Sequence, residues 1–122
     1  MARVLIVDDS PTETHKLRTI LTKNGHDVLE ATSGVDGVSM AKEQLPDVVL
    51  MDIVMPGTNG FQATRQIKKD SKTGHIPVII VTTKDQETDR IWGKRQGAMA
   101  FLVKPVDEKL LINTINEALT AG

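Results

Sequence analysis

Apolar residues gather in short runs along the chain. Val4-Leu5-Ile6-Val7, Val48-Val49-Leu50-Met51, Pro77-Val78-Ile79-Ile80-Val81 and Ala100-Phe101-Leu102-Val103 are apolar throughout. Runs this short, rich in β-branched residues, predict strands buried on both faces, as in a parallel sheet. Asp27-Val28-Leu29-Glu30-Ala31 is mixed in polarity and predicts a strand nearer an edge.

Between these runs the spacing becomes helical. Ser10-Pro11-Thr12-Glu13 reads as a helix start, with Ser10 as cap, Pro11 at the first position and Glu13 completing a capping box. Leu17, Ile20 and Leu21 share one face, and Asn24-Gly25 ends that helix. A second helix runs from about Val35 to Gln44 and stops before Pro46, with Val38, Ala41 and Leu45 on its inner side. Asn59 caps a third, in which Phe61, Thr64 and Ile67 face inward. Asp70-Ser71-Lys72-Thr73-Gly74 is a surface loop. A polar fourth helix extends to about Gln96, with Gly97 as its stop. Asp107 caps a fifth, where Leu111, Ile115 and Leu119 recur at helical spacing. Strand and helix alternate five times with short connections. This pattern predicts an α/β fold, a parallel sheet covered by helices on both faces.

Composition narrows the function classes. The chain has 122 residues, enough for one domain with one core. Formal net charge is −1, so no broad basic surface announces nucleic acid or anionic lipid. No apolar run reaches membrane-spanning length. The start reaches Asp8 and Asp9 too soon for a signal peptide. With no cysteine there is no disulfide, thiolate nucleophile or thiolate zinc site. A cytoplasmic protein, free of membrane and nucleic acid, is the expectation.

The chemistry sits where the strands end. Strand one runs into Asp8 and Asp9, strand three into Asp52, strand four into Thr82, and strand five into Lys104-Pro105. In a parallel sheet these ends share one edge, where ligands of open α/β sheets bind. A single Asp at a strand end is usually a solvated turn residue; the joint pattern carries the signal.

That pattern resembles the receiver domain of two-component response regulators. The matching pieces are Leu5-Ile6-Val7-Asp8-Asp9-Ser10, Asp47-Val48-Val49-Leu50-Met51-Asp52, Met55-Pro56 with Gly60, Thr82, and Lys104-Pro105. They lie in the right order along the whole chain. The resemblance implies a flavodoxin-like (βα)5 three-layer sandwich with strand order 2-1-3-4-5, an order taken from the family. It implies one receiver domain over 1–122, of the stand-alone CheY-like class, with no effector domain. The stretches Val81 to Gln86, Trp92 to Ala98 and Lys104 to Glu108 look more narrowly like PilH-type regulators of twitching motility.

In that strand order, Asp8, Asp9 and Asp52 share one crevice. Three carboxylates repel, so some take up protons or a cation sits among them. Oxygen donors suit a hard ion, and Mg²⁺ retains waters that phosphate oxygens can replace. The resemblance implies that Asp52 is phosphorylated by a histidine kinase or its phosphotransfer domain. Asp8 and Asp9 would hold Mg²⁺ with Asp52 and the backbone carbonyl of Val54. Thr82 would turn inward to hydrogen-bond the phosphoryl group, Lys104 would pair with it, and Phe101 would be the aromatic switch. The Lys104-Pro105 bond is expected to be cis.

The expected output is altered protein binding through helix four, strand five and helix five, in a chemotaxis-like or type IV pilus pathway. A phosphate sink for a shared kinase is the alternative. No separate substrate is expected to be turned over. Phe101 replaces a common Tyr and carries no hydroxyl. Thr83 is larger than the Ala or Gly of many members and narrows access to the acyl phosphate. Val54 and Lys84 flank the site where others carry polar or acidic groups.

Other readings carry less. An aspartate-nucleophile phosphatase wants a second acid two residues on, where Val54 stands. A flavin carrier wants aromatic stacking, and the chain has no Tyr. His15, His26 and His75 lack ligand spacing. Gly57 and Gly60 precede no Gly-Lys-Ser/Thr, so they form no P-loop. Met51 and Met55 bracket Asp52 and read as packing and loop residues. Trp92 either anchors a partner or covers the helix–sheet seam. Arg90, Lys94 and Arg95 are a solvated helix face or a contact for an acidic partner.

Overall fold

A computed structural model describes residues 2–121 of the chain. Strands β1 (Arg3–Val7), β2 (Asp27–Ala31), β3 (Val48–Met51), β4 (Val78–Thr82) and β5 (Ala100–Val103) alternate with helices. These are α1 (Pro11–Lys23), α2 (Gly34–Gln44), α3 (Gly60–Lys69), α4 (Glu87–Arg95) and α5 (Glu108–Ala121). All strand pairs are parallel, in the order β2-β1-β3-β4-β5. The edge placement of β2 accounts for its mixed polarity.

Side chains alternate across each strand, so one run feeds two cores. Val4 and Ile6 of β1 join Val48, Leu50, Ile79 and Val81 against α1 and α5. Leu5 and Val7 join Val49, Met51 and Val78 against α2 and α3. A third, smaller cluster holds Ile53, Ile80 and Ala98, with Phe61 and Phe101 packed against it. Its neighbour on α4 is Gly93, where a Cβ would stand 2.7 Å from Ile80 Cδ1. Ile115 of α5 is fully buried. Ile115→Val is expected to cost about 0.5–1.5 kcal/mol, read from urea unfolding midpoints.

Four sequence expectations need correction. Leu45 does not line the inner side of α2; it caps the helix in a left-handed conformation, φ 47°, and is half-exposed. The chain turns there ahead of Pro46, and that turn carries the side chain outward. Leu119 is partly exposed, and Ala118 is buried in its place, seven residues from Leu111. Pro77 precedes β4 instead of opening it, though its carbonyl still accepts from the Val49 N–H at 3.0 Å. Ser10 caps α1 by accepting from the Glu13 N–H, but the reciprocal half of the box is absent, and Glu13 reaches Lys16 at 3.9 Å. A complete capping box occurs instead at Asn59 and Gln62, opening α3. Asp107 caps α5 as expected, accepting from the Leu110 N–H at 2.9 Å.

Candidate functional site: an acidic pocket at the strand ends

Sheet hydrogen bonding continues one residue past the strands and sets the site. The Asp8 N–H donates to the Ala31 carbonyl at 3.1 Å, and the Asp52 N–H to the Val7 carbonyl at 3.0 Å. These bonds hold the two aspartates side by side at the β1–β3 edge. The Lys104 N–H donates to the Thr82 carbonyl at 2.7 Å, fixing the end of β5 against β4.

Asp8 and Asp52 are buried and Asp9 is exposed, yet each offers an oxygen within 4.8 Å of the others'. Into this crowd reaches Lys104. Its Nζ lies 2.5 Å from Asp8 Oδ2 and 3.4 Å from Asp52 Oδ2. The second oxygen of each acid also has a donor. The Ser10 N–H reaches Asp8 Oδ1 at 2.9 Å, and the Val54 N–H reaches Asp52 Oδ1 at 3.1 Å.

Burial pushes the Asp8 carboxyl above its ordinary pKa, more than the Lys104 hydrogen bond pulls it down. Burial also works against the Lys104 charge. There the Asp8 hydrogen bond and the Asp52 charge prevail, and the ammonium pKa is raised. The pocket therefore carries more acid than its one lysine balances. Its donor set is all oxygen, with no Cys or His, which fits a hard dication such as Mg²⁺.

The remaining sequence-designated residues surround these four. Thr82 is fully buried, and its Oγ1 accepts from the Lys84 N–H at 3.4 Å. Thr83 and Lys84 are exposed. Lys84 shares a cleft of about 370 Å³ with Asp9, Val54 and Pro56. The Lys104–Pro105 peptide bond is cis. Phe101 is half-buried, with the Arg90 guanidinium 5.1 Å from its ring centroid. Arg90 also pairs with Asp85 at 3.3 Å. Neither Asp85 nor the stacking role of Arg90 is legible in sequence, because Arg90 and Phe101 lie on different elements.

Gly60 is a further residue of the site. A Cβ there would stand 2.0 Å from the Asp52 carbonyl oxygen and 2.7 Å from Ile53 Cα. Only glycine lets the α3 N-terminus close over the loop that follows β3. Gly60→Ala is expected to cost about 1–3 kcal/mol in thermal or urea unfolding, because backbone must move to admit the methyl.

Comparison with known proteins decides the family. Residues 4–116 match the response regulator receiver domain. The chain belongs to that family. The receiver is 68% identical to the protein PilH of Pseudomonas aeruginosa, over 98% of both chains. Its fold is similar to that of chemotaxis protein CheY4 of Vibrio cholerae, with TM-score 0.91 and 30% identity, over 98% of this chain and 99% of that one. It is also similar to the receiver domain of a sensor histidine kinase from Pseudomonas aeruginosa, solved with magnesium coordinated in its active-site cleft. That match has TM-score 0.91 and 26% identity, over 98% of each chain. Among the described residues, no helix of the receiver is long and apolar enough to cross a membrane.

Proposed function

We propose that this receiver takes a phosphoryl group on Asp52 from a sensor histidine kinase or its phosphotransfer domain, as a signalling switch. The observation that carries the reading is the meeting of Asp8, Asp9 and Asp52 oxygens within 4.8 Å beside the Lys104 ammonium. A carboxylate oxygen of Asp52 attacks phosphorus in line. The bond from phosphorus to the donor imidazole nitrogen breaks, and its electron pair returns to that nitrogen. Asp8 and Asp9, with Asp52 and the Val54 carbonyl, would hold Mg²⁺, which when bound offsets charge on the phosphoryl oxygens.

Lys104 is the movable counter-charge. Held by Asp8 and Asp52 in this structure, it is placed to take a phosphoryl oxygen once Asp52 is esterified. Thr82, buried at the end of β4, offers its hydroxyl to a second oxygen. Withdrawal of Thr82 toward the site opens space for Phe101 to move from under Arg90, altering the face made by α4, β5 and α5. Thr83 and Lys84 stand at the mouth and govern access to the acyl phosphate. Identity to PilH supports a role in type IV pilus or chemotaxis-like motility.

The test is phosphorylation by acetyl phosphate with Mg²⁺, followed by intact-mass measurement and mapping of the label. One phosphoryl group on Asp52, lost on chelation of the metal beforehand, supports the reading. A label on any other residue overturns it.

A further inference from the structure

Away from the acidic pocket, α3 and α4 face each other across a groove of about 450 Å³. Arg65, Lys68 and Lys69 line one wall, one helical turn apart. Trp92 and Arg95 line the other at the same spacing, with Gly97 at the floor. Among the described residues, no acid lines the groove. No ion pair among the described residues reaches Arg65, Lys68, Lys69, Arg95 or the neighbouring Lys94.

Asp70 ends α3 and Asp89 stands on α4, and neither pairs with a cation of the groove. Asp70, which ends α3, pairs with Lys42 at 3.3 Å and accepts from the Lys72 N–H at 2.8 Å. Asp89, one turn before Trp92, has a buried Oδ2 and makes no ion pair with the groove. The cations in the last turns of α3 and α4 suit the negative ends of those helices, which accounts for their presence but not for Arg65 or Trp92.

The groove is also built. Gly97 has φ +104°, and a Cβ on it would meet the Lys68 side chain at 2.8 Å. Lys68 crosses there to donate to the Ile76 carbonyl at 2.9 Å. Trp92 leaves 48% of its surface exposed, with the Arg95 guanidinium 5.9 Å from its ring. A large aromatic side chain left half in water beside unpaired guanidinium groups matches the composition of protein-binding hot spots.

We propose that the α3–α4 groove docks an acidic peptide segment of a partner protein, with one apolar side chain set against Trp92. Charge complementarity selects the occupant: the charged side chains that line the groove are all cations, on a chain whose formal net charge is −1. Nucleic acid fits less well, since the chain's pI is ≈ 6.3 and one aromatic gives no stacking platform. A lipid surface is flat, and this site is recessed. The proposal stands independently of the chemistry at Asp52.

Trp92 is the sole tryptophan and reports on its own site. The full chain is titrated with a synthetic peptide of Asp and Glu around one central Leu, following Trp92 emission. Saturable binding that weakens with added salt is expected. The triple variant Arg65→Glu, Lys69→Glu, Arg95→Glu should bind about tenfold or more weakly, while accepting phosphoryl from acetyl phosphate as the parent does. The pair Lys16→Glu, Lys109→Glu, on α1 and α5, should bind as the parent does. Should the triple variant fail to fold, Trp92→Ala, followed by calorimetry, must show weakened binding of the same peptide. No saturable change, equal weakening in the control pair, or tighter binding of single-stranded DNA or phosphatidylglycerol vesicles than of the peptide overturns the proposal.

Discussion

Asp52→Asn is expected to abolish labelling by acetyl phosphate and Mg²⁺ while leaving the fold in place. The amide lacks the anionic oxygen that attacks phosphorus, so the loss is complete and not a change of rate. Folding survives because the main structural contact persists. The Asn amide oxygen still accepts from the Val54 N–H, which holds Asp52 Oδ1 at 3.1 Å. Lys104 keeps Asp8, its nearer partner at 2.5 Å. One negative charge also leaves a site where acids outnumber bases. Intact-mass measurement reads the labelling, and thermal unfolding should give a midpoint at or above the parent's. Labelling of the Asn variant to the parent's extent would remove Asp52 from the role proposed for it.

Lys104→Ala is expected to have the largest effect on stability. It removes the only cation that contacts Asp8 and Asp52 among the described ion pairs, and Lys104 is itself buried. Breaking a buried ion pair from one side strands the other charge, at a cost of about 3–5 kcal/mol. Mg²⁺ should return more stability to this variant than it adds to the parent, because the ion takes over the balance of charge. Urea unfolding with and without Mg²⁺ measures both quantities. The variant should still be labelled at Asp52, yet its α4–β5–α5 surface should not change, as followed by amide hydrogen exchange across Ala100–Val103. An equal gain from Mg²⁺ in both proteins would show that Lys104 does not balance the pocket.

The strands were legible because an all-apolar run can only be satisfied by cover on both faces. Val4 to Val7 and Val48 to Met51 therefore announced a parallel sheet without any partner being known. The acids announced themselves because Asp8, Asp9 and Asp52 follow those runs directly. Helix ends are less legible. Leu45 and Leu119 sit at apolar spacing, but spacing assumes that the helix and its cover both continue. At Leu45 the backbone turns left-handed, and in the last turn of α5 the face turned to the core carries Ala118, which leaves Leu119 partly exposed. The sequence pattern carries no term for either.

Local order thus determined that the chain alternates strand and helix, which residues face the cores, and which side chains stand at the strand ends. Tertiary structure alone decided which of those ends meet. Lys104 and Asp8 are 96 residues apart, and no periodicity pairs them. The same holds for Arg90 over Phe101, for Gly60 against the Asp52 carbonyl, and for the basic walls of α3 and α4. Each depends on how separate elements pack, and packing is settled by contacts between distant residues, whereas periodicity records only what each segment turns toward water.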